Sequence, residues 1–241
     1  MKRPRFWKRF DFHVGLAISL ALLTLSWQGR LRIGTDEPIS LTETLGFVTG
    51  AACVYLTVLE NVWNFPIGIA NSVFFLALFA GARLYGDAGL QILYIALGLQ
   101  GWYLWLRGGE NHTALRVSRA GVRLLLAVGA CVVAGAALMT YVFARADDSA
   151  PFLDALTTVL SLAAQYLLNR KAIENWLLWM TADVVYVYLY FAKDFRLTAL
   201  LYFVFLCMCV AGFRVWLRAL REGGSEVDRR GLAAGEEAGV G

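Results

Sequence analysis

The sequence predicts an all-α polytopic membrane protein with eight transmembrane helices. Hydrophobic residues make up 59% of the 241 residues and charged residues only 17%, against about 25% charged residues in an average soluble domain. The apolar residues fall into eight runs, each near the roughly 20 residues that a helix needs to cross about 30 Å of hydrocarbon. A repeated motif further predicts an extra N-terminal helix followed by two parallel three-helix repeats around a connector helix.

The first run is expected to be a retained helix and not a signal peptide. It follows the basic stretch Lys2 to Arg9, but its end at 26–29 lacks an Ala-x-Ala cleavage pattern. The eight predicted spans are 13–33, 40–60, 65–84, 88–107, 121–145, 152–169, 173–192 and 196–220. The resulting segments are an arm with an extra helix (1–39), a first repeat (40–110), a connector (111–150), a second repeat (151–221) and a Gly- and Glu-rich tail predicted to be disordered (222–241).

Basic residues predict the orientation of the chain. Eight spans place both termini on one side of the membrane, and that side receives 16 of the 22 Lys and Arg residues, against 6 on the other side. Because cytoplasmic loops carry an excess of Lys and Arg, both termini are expected in the cytoplasm.

An internal repeat links the fourth and eighth spans. Gly101, Trp105 and Arg107 lie in a G-x-x-x-W-L-R motif that recurs at 212–218. We call the spacing from Gly101 to Gly212 the repeat offset. It covers four helices, an even number, so both repeats would enter the membrane from the same side. Trp63 and Trp176 open corresponding spans at a slightly longer spacing, which implies a two-residue insertion. Chance remains an alternative, because Gly and Trp are common in membrane helices.

A carboxylate in the seventh span marks the candidate site. Trp176, Trp179 and Asp183 follow one another at i, i+3 and i+7, and Tyr186 and Tyr190 continue the same helical face. An ionisable side chain in mid-membrane costs roughly 2.5–3.5 kcal/mol on insertion scales, so it usually faces a cavity or a partner. The stripe predicts a polar site lined by aromatic rings, suited to a flat cation.

Other polar residues inside the spans have two interpretations each. Thr158, Ser161 and Gln165 form a stripe in the sixth span that either contacts ligand or, for the hydroxyls, bonds to backbone carbonyls. Asn71 and Gln91 serve either as ligand contacts or, like Gln165, as hydrogen-bonding links between helices. For Trp105 and Trp216, at span ends, an interfacial aromatic belt is favoured over a role in the site.

Several function classes are excluded by missing motifs. The sequence contains no G-x-x-x-x-G-K-[ST] loop for an attached ATPase, and no His-Glu-x-x-His or G-x-S-x-G motif. The four cysteines have no metal-ligand spacing. A transporter is favoured over an intramembrane enzyme or a receptor, with no cofactor, no metal and no nucleic-acid partner. The lipid bilayer and a small-molecule ligand are the expected partners.

Six segments together resemble the PnuC family of bacterial nicotinamide riboside transporters. They span about 40–218 and include the stretches at 63–71, 84–91, 101–105, 157–161, 176–183 and 201–202. The family's usual Leu-Tyr-Ala-Asp reads Leu84-Tyr-Gly-Asp87 in this chain. The first helix and the tail lie outside the resemblance.

The resemblance implies a homotrimeric facilitator of the inner membrane with a SWEET-like, full-length 3+1+3 helical fold. Its substrate, nicotinamide riboside, would be trapped by a cytoplasmic kinase that feeds NAD synthesis. Thiamine, another flat cation, is the alternative substrate. The residues expected at the substrate are Trp176, Trp179, Asp183, Asn71, Gln91 and Tyr94 by resemblance, with Thr158, Gln165 and Tyr202 added from the polar stripe and the repeat.

Overall fold

A computed structural model describes most of the chain. The described residues are 17, 19–30, 41–81, 83, 85–146, 150–192 and 196–238, without the side chains of 43, 196–198 and 223–238. Predictions for the basic arm before residue 17, for 31–40 and for the last three residues lie outside this part. The described chain is helical and contains no β-strand, which confirms the all-α prediction.

Eight helices follow the predicted apolar runs. Their bounds are α1 (19–27), α2 (Leu41–Val58), α3 (Asn64–Gly81), α4 (Tyr85–Arg107), α5 (Val122–Arg145), α6 (Pro151–Asn169), α7 (Asn175–Ala192) and α8 (Arg196–Ala238), with a short 3₁₀ turn at Glu110–His112. Four described segments are long and apolar enough to cross a membrane: Asn64–Gly81, Val122–Arg145, Pro151–Asn169 and Ala199–Glu222. Pro151 lies in the first turn of α6, where its missing N–H costs no helical hydrogen bond.

The last helix differs from its predicted extent. The apolar pattern ends near residue 220 and the following composition predicts disorder, whereas α8 continues as helix to Ala238. The helix thus extends beyond the apolar run into the Gly- and Glu-rich tail. Extending a helix that is already formed adds one hydrogen bond for each residue fixed, which is far easier than starting a new helix.

The chain divides into two compact units, residues 1–52 and 53–241. In the first unit, helix hydroxyls bond back to their own backbone: Thr24 Oγ1 donates to the Leu20 carbonyl at 2.9 Å, and Thr49 Oγ1 to the Leu45 carbonyl at 2.7 Å. Such bonds satisfy a hydroxyl without a partner from another helix.

In the second unit, neighbouring helices pack as pairs. α3 packs on α4, α5 on α6, α6 on α7 and α7 on α8, and α4 also packs on α6. The α4–α6 contact joins the segment before the connector helix α5 to the segment after it. The candidate site lies around this contact.

The turns after α2 and α6 have the same geometry. Glu60 and Lys171 each adopt a left-handed conformation, with φ of 54° and 49°. In the first turn the Glu60 and Asn61 N–H groups donate to the Thr57 and Leu56 carbonyls, respectively. The second turn has the same two bonds, and each of its donors and acceptors lies one repeat offset further along the chain. Both are Schellman caps, which satisfy the last carbonyls of a helix. Glycine is the usual residue at this position, so the two charged residues suggest a further role.

Candidate functional site

Three buried tryptophans and a phenylalanine form the centre of the second unit. Phe65 and Trp105 meet edge to face with ring centroids 5.1 Å apart, and Trp176 and Trp216 do so at 5.4 Å. Trp105 and Trp216 contact each other at 5.9 Å. The repeat offset separates Phe65 from Trp176 and also Trp105 from Trp216. The two aromatic pairs are therefore equivalent in the repeat.

Two indole N–H groups of this cluster bond between the segments that precede and follow the connector helix in the chain. Trp105 Nε1 donates to the Leu168 carbonyl at 3.0 Å, and Trp216 Nε1 donates to the Thr57 carbonyl at 3.1 Å. The two donors, like the two acceptors, are separated by the repeat offset. The belt interpretation of Trp105 and Trp216 is wrong, because both are buried, at 3% and 0% exposure, with their N–H groups bonded within the protein.

An ion pair joins the two equivalent Schellman turns. Lys171 Nζ lies 3.1 Å from Glu60 Oε2, and the same ammonium lies 4.4 Å from the centroid of the Trp105 ring. Lys171 is buried despite its charge. A buried cation is stabilised by a carboxylate and by a ring face, and this one has both. This contact gives the side chains at the two left-handed backbone positions a function that glycine could not supply.

A loop fastens the turn after α6 by hydrogen bonds. The Ser118 N–H donates to the Lys171 carbonyl at 3.1 Å, and the Ile173 N–H donates to the Ser118 carbonyl at 3.0 Å. The Ala120 N–H donates to Glu174 Oε2 at 2.9 Å. These bonds hold the α6–α7 turn from outside the helices.

A cavity of about 110 Å³ lies between α3, α4, α6 and the end of α2. Its wall combines apolar groups with neutral polar side chains and carries no charged residue among the described ones. The lining residues are Cys53, Thr57, Asn64, Phe65, Gly68, Ile69, Ser72, Tyr94, Gly98, Gln165 and Leu168. Asn64 Nδ2 donates to Thr57 Oγ1 at 2.9 Å, and Asn64 Oδ1 is buried without a hydrogen-bond partner.

Asp183 is buried on α7, and its carboxylate has a thiol partner. Its exposure is 5%, and Cys209 Sγ of α8 lies 3.4 Å from Asp183 Oδ2 as donor. At the repeat offset, Asp183 corresponds to Ser72, and Cys209 to Gly98. Asn71 precedes Ser72 by one residue and is therefore not the counterpart of Asp183 at this offset.

Tyrosines on α7 and α8 form a second aromatic group next to Asp183. Tyr186 and Tyr202 stack with ring centroids 4.3 Å apart, and Tyr190 stacks on Tyr202 at 5.4 Å. Tyr94 and Tyr186 both form side-chain hydrogen bonds with Ser161. Ser161 therefore connects the Tyr94 wall of the cavity to the tyrosine group.

The predicted site residues fall into separate environments. Tyr94 and Gln165 line the cavity. Trp176 is buried in the aromatic cluster, with Trp179 packed partly against that cluster. Asp183 and Tyr202 lie at the α7–α8 contact. Asn71, Gln91 and Thr158 are half-buried and are not part of the cavity wall.

The hydroxyl stripe of α6 is largely used inside its own helix. Thr158 Oγ1 donates to the Asp154 carbonyl at 2.8 Å, and Thr157 Oγ1 donates to the Leu153 carbonyl at 3.0 Å. The protons of these two hydroxyls therefore go to backbone carbonyls, as the second interpretation predicts for Thr158, while each hydroxyl oxygen can still accept a hydrogen bond.

Asn169 is a polar residue that sequence reasoning missed. It is fully buried, accepts from Gln165 Nε2 at 3.0 Å and donates from Nδ2 to the Leu97 carbonyl at 2.8 Å and to Gln100 Oε1 at 3.2 Å. The α6 stripe, extended by one more turn from Gln165, would have found it. Thr57, Asn64 and Ser72 were also missed, although Ser72 directly follows Asn71 and Asn64 lies close to Asn61 in the chain.

Metal binding finds no support in the side chains. Within the described ranges, no three His, Cys, Asp or Glu residues lie close enough together to hold a metal ion.

An all-helical chain with membrane-length apolar helices around a neutral, partly polar cavity belongs to the class of membrane transporters. Residues 40–218 match a family model described as nicotinamide mononucleotide transporter. The chain belongs to that family, which confirms the resemblance found in the sequence. Because the members of this family are transporters, the prediction that the protein is not an enzyme is confirmed.

Individual relatives cover most of the chain. The nicotinamide riboside transporter PnuC of Escherichia coli (strain K12) is 29% identical over 213 residues, which is 78% of this chain and 89% of the relative. The riboflavin/roseoflavin transporter RibM of Streptomyces davaonensis is 29% identical over 195 residues, which is 78% of this chain and 90% of the relative. A crystal structure of the vitamin B3 transporter PnuC shares the fold, with a TM-score of 0.63 and 23% identity over 90% of this chain and 97% of that one.

Proposed function

We propose that this protein transports nicotinamide riboside across the bacterial inner membrane. The observation that carries the proposal is the match to a nicotinamide riboside transporter over 89% of that relative's length. The family match favours nicotinamide riboside over thiamine, the alternative that the sequence left open.

The composition of the cavity wall favours nicotinamide riboside over its phosphate ester, the mononucleotide, as the substrate. A mononucleotide carries a phosphate dianion, which needs cationic or multiple N–H partners when it leaves water. The cavity offers hydroxyls, carboxamides and a phenol, with no Lys or Arg among its described lining residues. The buried Lys171 already has Glu60 as its partner. Neutral sugar hydroxyls suit such a wall, whereas a phosphate does not.

Riboflavin is the second candidate because one relative is named a riboflavin/roseoflavin transporter. It also joins a flat ring to a polyol, so the same neutral wall could accept it. The two ligands differ mainly in ring size and in the charge of the pyridinium.

Calorimetric titration of the detergent-solubilised protein tests the proposal. Nicotinamide riboside should bind, while nicotinamide mononucleotide should bind at least about tenfold more weakly, a difference of about 1.4 kcal/mol. Riboflavin and thiamine serve as competitors. Tighter binding of riboflavin than of nicotinamide riboside would assign the protein to flavin transport, and tighter binding of the mononucleotide would contradict the role given to the uncharged wall.

We also propose that α2–α4 and α6–α8 are two parallel three-helix repeats joined by α5, with α1 as an extra helix. The turns, indole bonds and aromatic pairs that correspond at the repeat offset support this 3+1+3 arrangement, and the eight apolar runs of the sequence support eight membrane spans. The register needs no insertion once Phe65, and not Trp63, is paired with Trp176. Substrate sites in transporters built from repeats usually lie where the repeats meet.

The substrate is proposed to lie at the cavity and to extend toward α7. Tyr94 and Gln165 would contact it from the cavity wall, with Asn71 and Gln91 further along α3 and α4. Trp179 and Asp183 would meet the pyridinium, a cation that ring faces and carboxylates both stabilise. Trp176, Thr158 and Tyr202 complete the proposed set.

Transport is proposed to be facilitated diffusion by a homotrimer, with both termini in the cytoplasm. The family resemblance supports the trimer and the capture of substrate by a cytoplasmic kinase, and the excess of Lys and Arg supports the orientation. Light scattering in detergent measures the oligomeric state. Labelling of a cysteine added to the C-terminus, in intact and in permeabilised cells, tests the side on which that terminus lies.

A further inference from the structure

The described α3 and α4 residues that line the cavity have counterparts at the repeat offset on α7 and α8. Gly68 on α3 lines the cavity, and its counterpart on α7 at the repeat offset is Trp179. Gly98 on α4 lines it as well, and its counterpart is Cys209. The open space of the cavity thus coincides with small residues on α3 and α4, while larger side chains occupy the corresponding positions on α7 and α8.

The backbone at Gly68 does not itself require glycine. A methyl group added there would lie 3.7 Å from Cys53 Sγ, an ordinary van der Waals contact, and would otherwise point into open space. Glycine in a helix interior is unfavourable compared with alanine. The glycine therefore creates volume in the cavity and is not needed for a turn or for helix packing.

The polar groups next to Gly68 define the chemistry of what enters. Asn64 and Ser72 lie one turn before and one turn after it on α3, and both line the cavity. Asn64 Oδ1 lacks a hydrogen-bond partner. The equivalent Asn175 has the same unpaired oxygen but is not part of the cavity wall. A buried acceptor at a cavity wall is best satisfied by a ligand that donates a hydrogen bond.

We infer that Gly68 determines substrate specificity by setting the size of the group that enters this cavity. That group is uncharged and carries hydroxyls, which donate to the Asn64 side chain. This inference rests on the proposed function for the identity of the ligand, although the space that Gly68 provides can be measured without any ligand.

Two substitutions at Gly68 test the inference against matched changes at Gly86. Gly86 lies on α4, is exposed, and has no atom within 4 Å of an added methyl group. Nicotinamide riboside affinity should fall about threefold in Gly68→Ala and at least about tenfold in Gly68→Leu, with wild-type values in Gly86→Ala and Gly86→Leu. Equal affinity in the wild type and both Gly68 variants would overturn the inference. Gly68→Ala keeps the test usable if the leucine variant fails to fold.

Cysteine labelling provides the readout that needs no substrate. Cys53 is half-buried and lines the cavity beside Gly68, so a small methanethiosulfonate reagent that enters the cavity can modify its thiol. Mass spectrometry of the peptides distinguishes Cys53 from Cys131, Cys207 and Cys209. Modification of Cys53 should slow in the order wild type, Gly68→Ala, Gly68→Leu. If the wild type does not bind nicotinamide riboside but this order is found, the proposed function fails and the role of Gly68 stands. Equal labelling in all three proteins contradicts the role of Gly68.

Discussion

At the scale of single residues, glycine controls how closely α7 and α8 approach. A methyl group on Gly212 would overlap the Trp176 ring, and Trp176 is itself buried at 1% exposure against Trp216. A large planar ring in a filled core has no room to move aside. The repeated glycine motif of the sequence therefore reports helix contact, as small residues at membrane helix interfaces usually do.

Gly212→Ala should lower the melting temperature of the purified protein. Overpacking of a filled core costs about 1–3 kcal/mol, and the added methyl meets aromatic carbons that cannot shift. Differential scanning fluorimetry in detergent measures the effect. Gly129→Ala in α5 is the control, because nothing lies within 4 Å of its added methyl. Equal melting temperatures for the two variants would mean that the tryptophan cluster repacks freely.

Asp183 and Trp179 are expected to contribute affinity more than stability. Asp183→Asn and Trp179→Ala should each weaken calorimetric binding of nicotinamide riboside about tenfold, because each removes a group that stabilises a pyridinium cation. Thr181→Ala is the control on the same helix, since Thr181 is exposed and its hydroxyl donates to the Leu177 carbonyl of its own helix. Wild-type affinity in both variants, with folding retained, would remove these residues from the site.

At the scale of helices and turns, two equivalent caps face each other and carry opposite charges. Left-handed backbone at a residue other than glycine costs roughly 1–2 kcal/mol. Glu60 and Lys171 accept this conformation and meet across 3.1 Å. The loop at 118–120 bonds to the second of these turns. The second turn is thus held by more hydrogen bonds than the first.

Reversing the charge of one turn should destabilise the protein, and reversing both should restore it. Glu60→Lys places two ammonium groups together and should cost about 1–3 kcal/mol, between the values for exposed and buried pairs. Combination with Lys171→Glu should recover most of this loss, because the new lysine would approach Trp216 as Lys171 approaches Trp105. Thermal unfolding measures both variants.

The control for the charge reversal is Glu110→Lys, an exposed residue of the 3₁₀ turn. It changes the net charge by the same amount without touching either cap. If the double variant is no more stable than Glu60→Lys alone, the equivalence of the two turns does not extend to their side chains.

At the scale of the whole molecule, transport is expected to follow the substrate gradient alone. The sequence holds no nucleotide-binding loop, and the buried Asp183 carboxylate is proposed to meet the pyridinium cation, not to relay protons. Radiolabelled nicotinamide riboside should enter proteoliposomes until the concentrations inside and outside are equal. Ionophores that remove proton or sodium gradients should leave the initial rate unchanged. Accumulation above the external concentration would contradict facilitated diffusion.

Much of the architecture could be predicted because membrane helices must satisfy all their backbone hydrogen bonds internally. Apolar length therefore located α2 to α7, and the start of α8, within a few residues. The motif that Gly101 and Gly212 share also predicts a repeat. At the offset of that motif, Phe65 and not Trp63 corresponds to Trp176, and each of these two rings meets a tryptophan edge to face.

The sequence by itself determined the helical class, the order of the apolar runs, the transporter family and the presence of a carboxylate, Asp183, inside an apolar run. Hydropathy and motif spacing are properties of the chain alone. Only the tertiary structure decided which polar residues share a cavity, that Trp105 and Trp216 bond across the molecule, and that Glu60 meets Lys171. Those contacts join residues about 63 to 159 positions apart. Their partners are set by how helices pack, and helix packing depends on shape complementarity that no local pattern records.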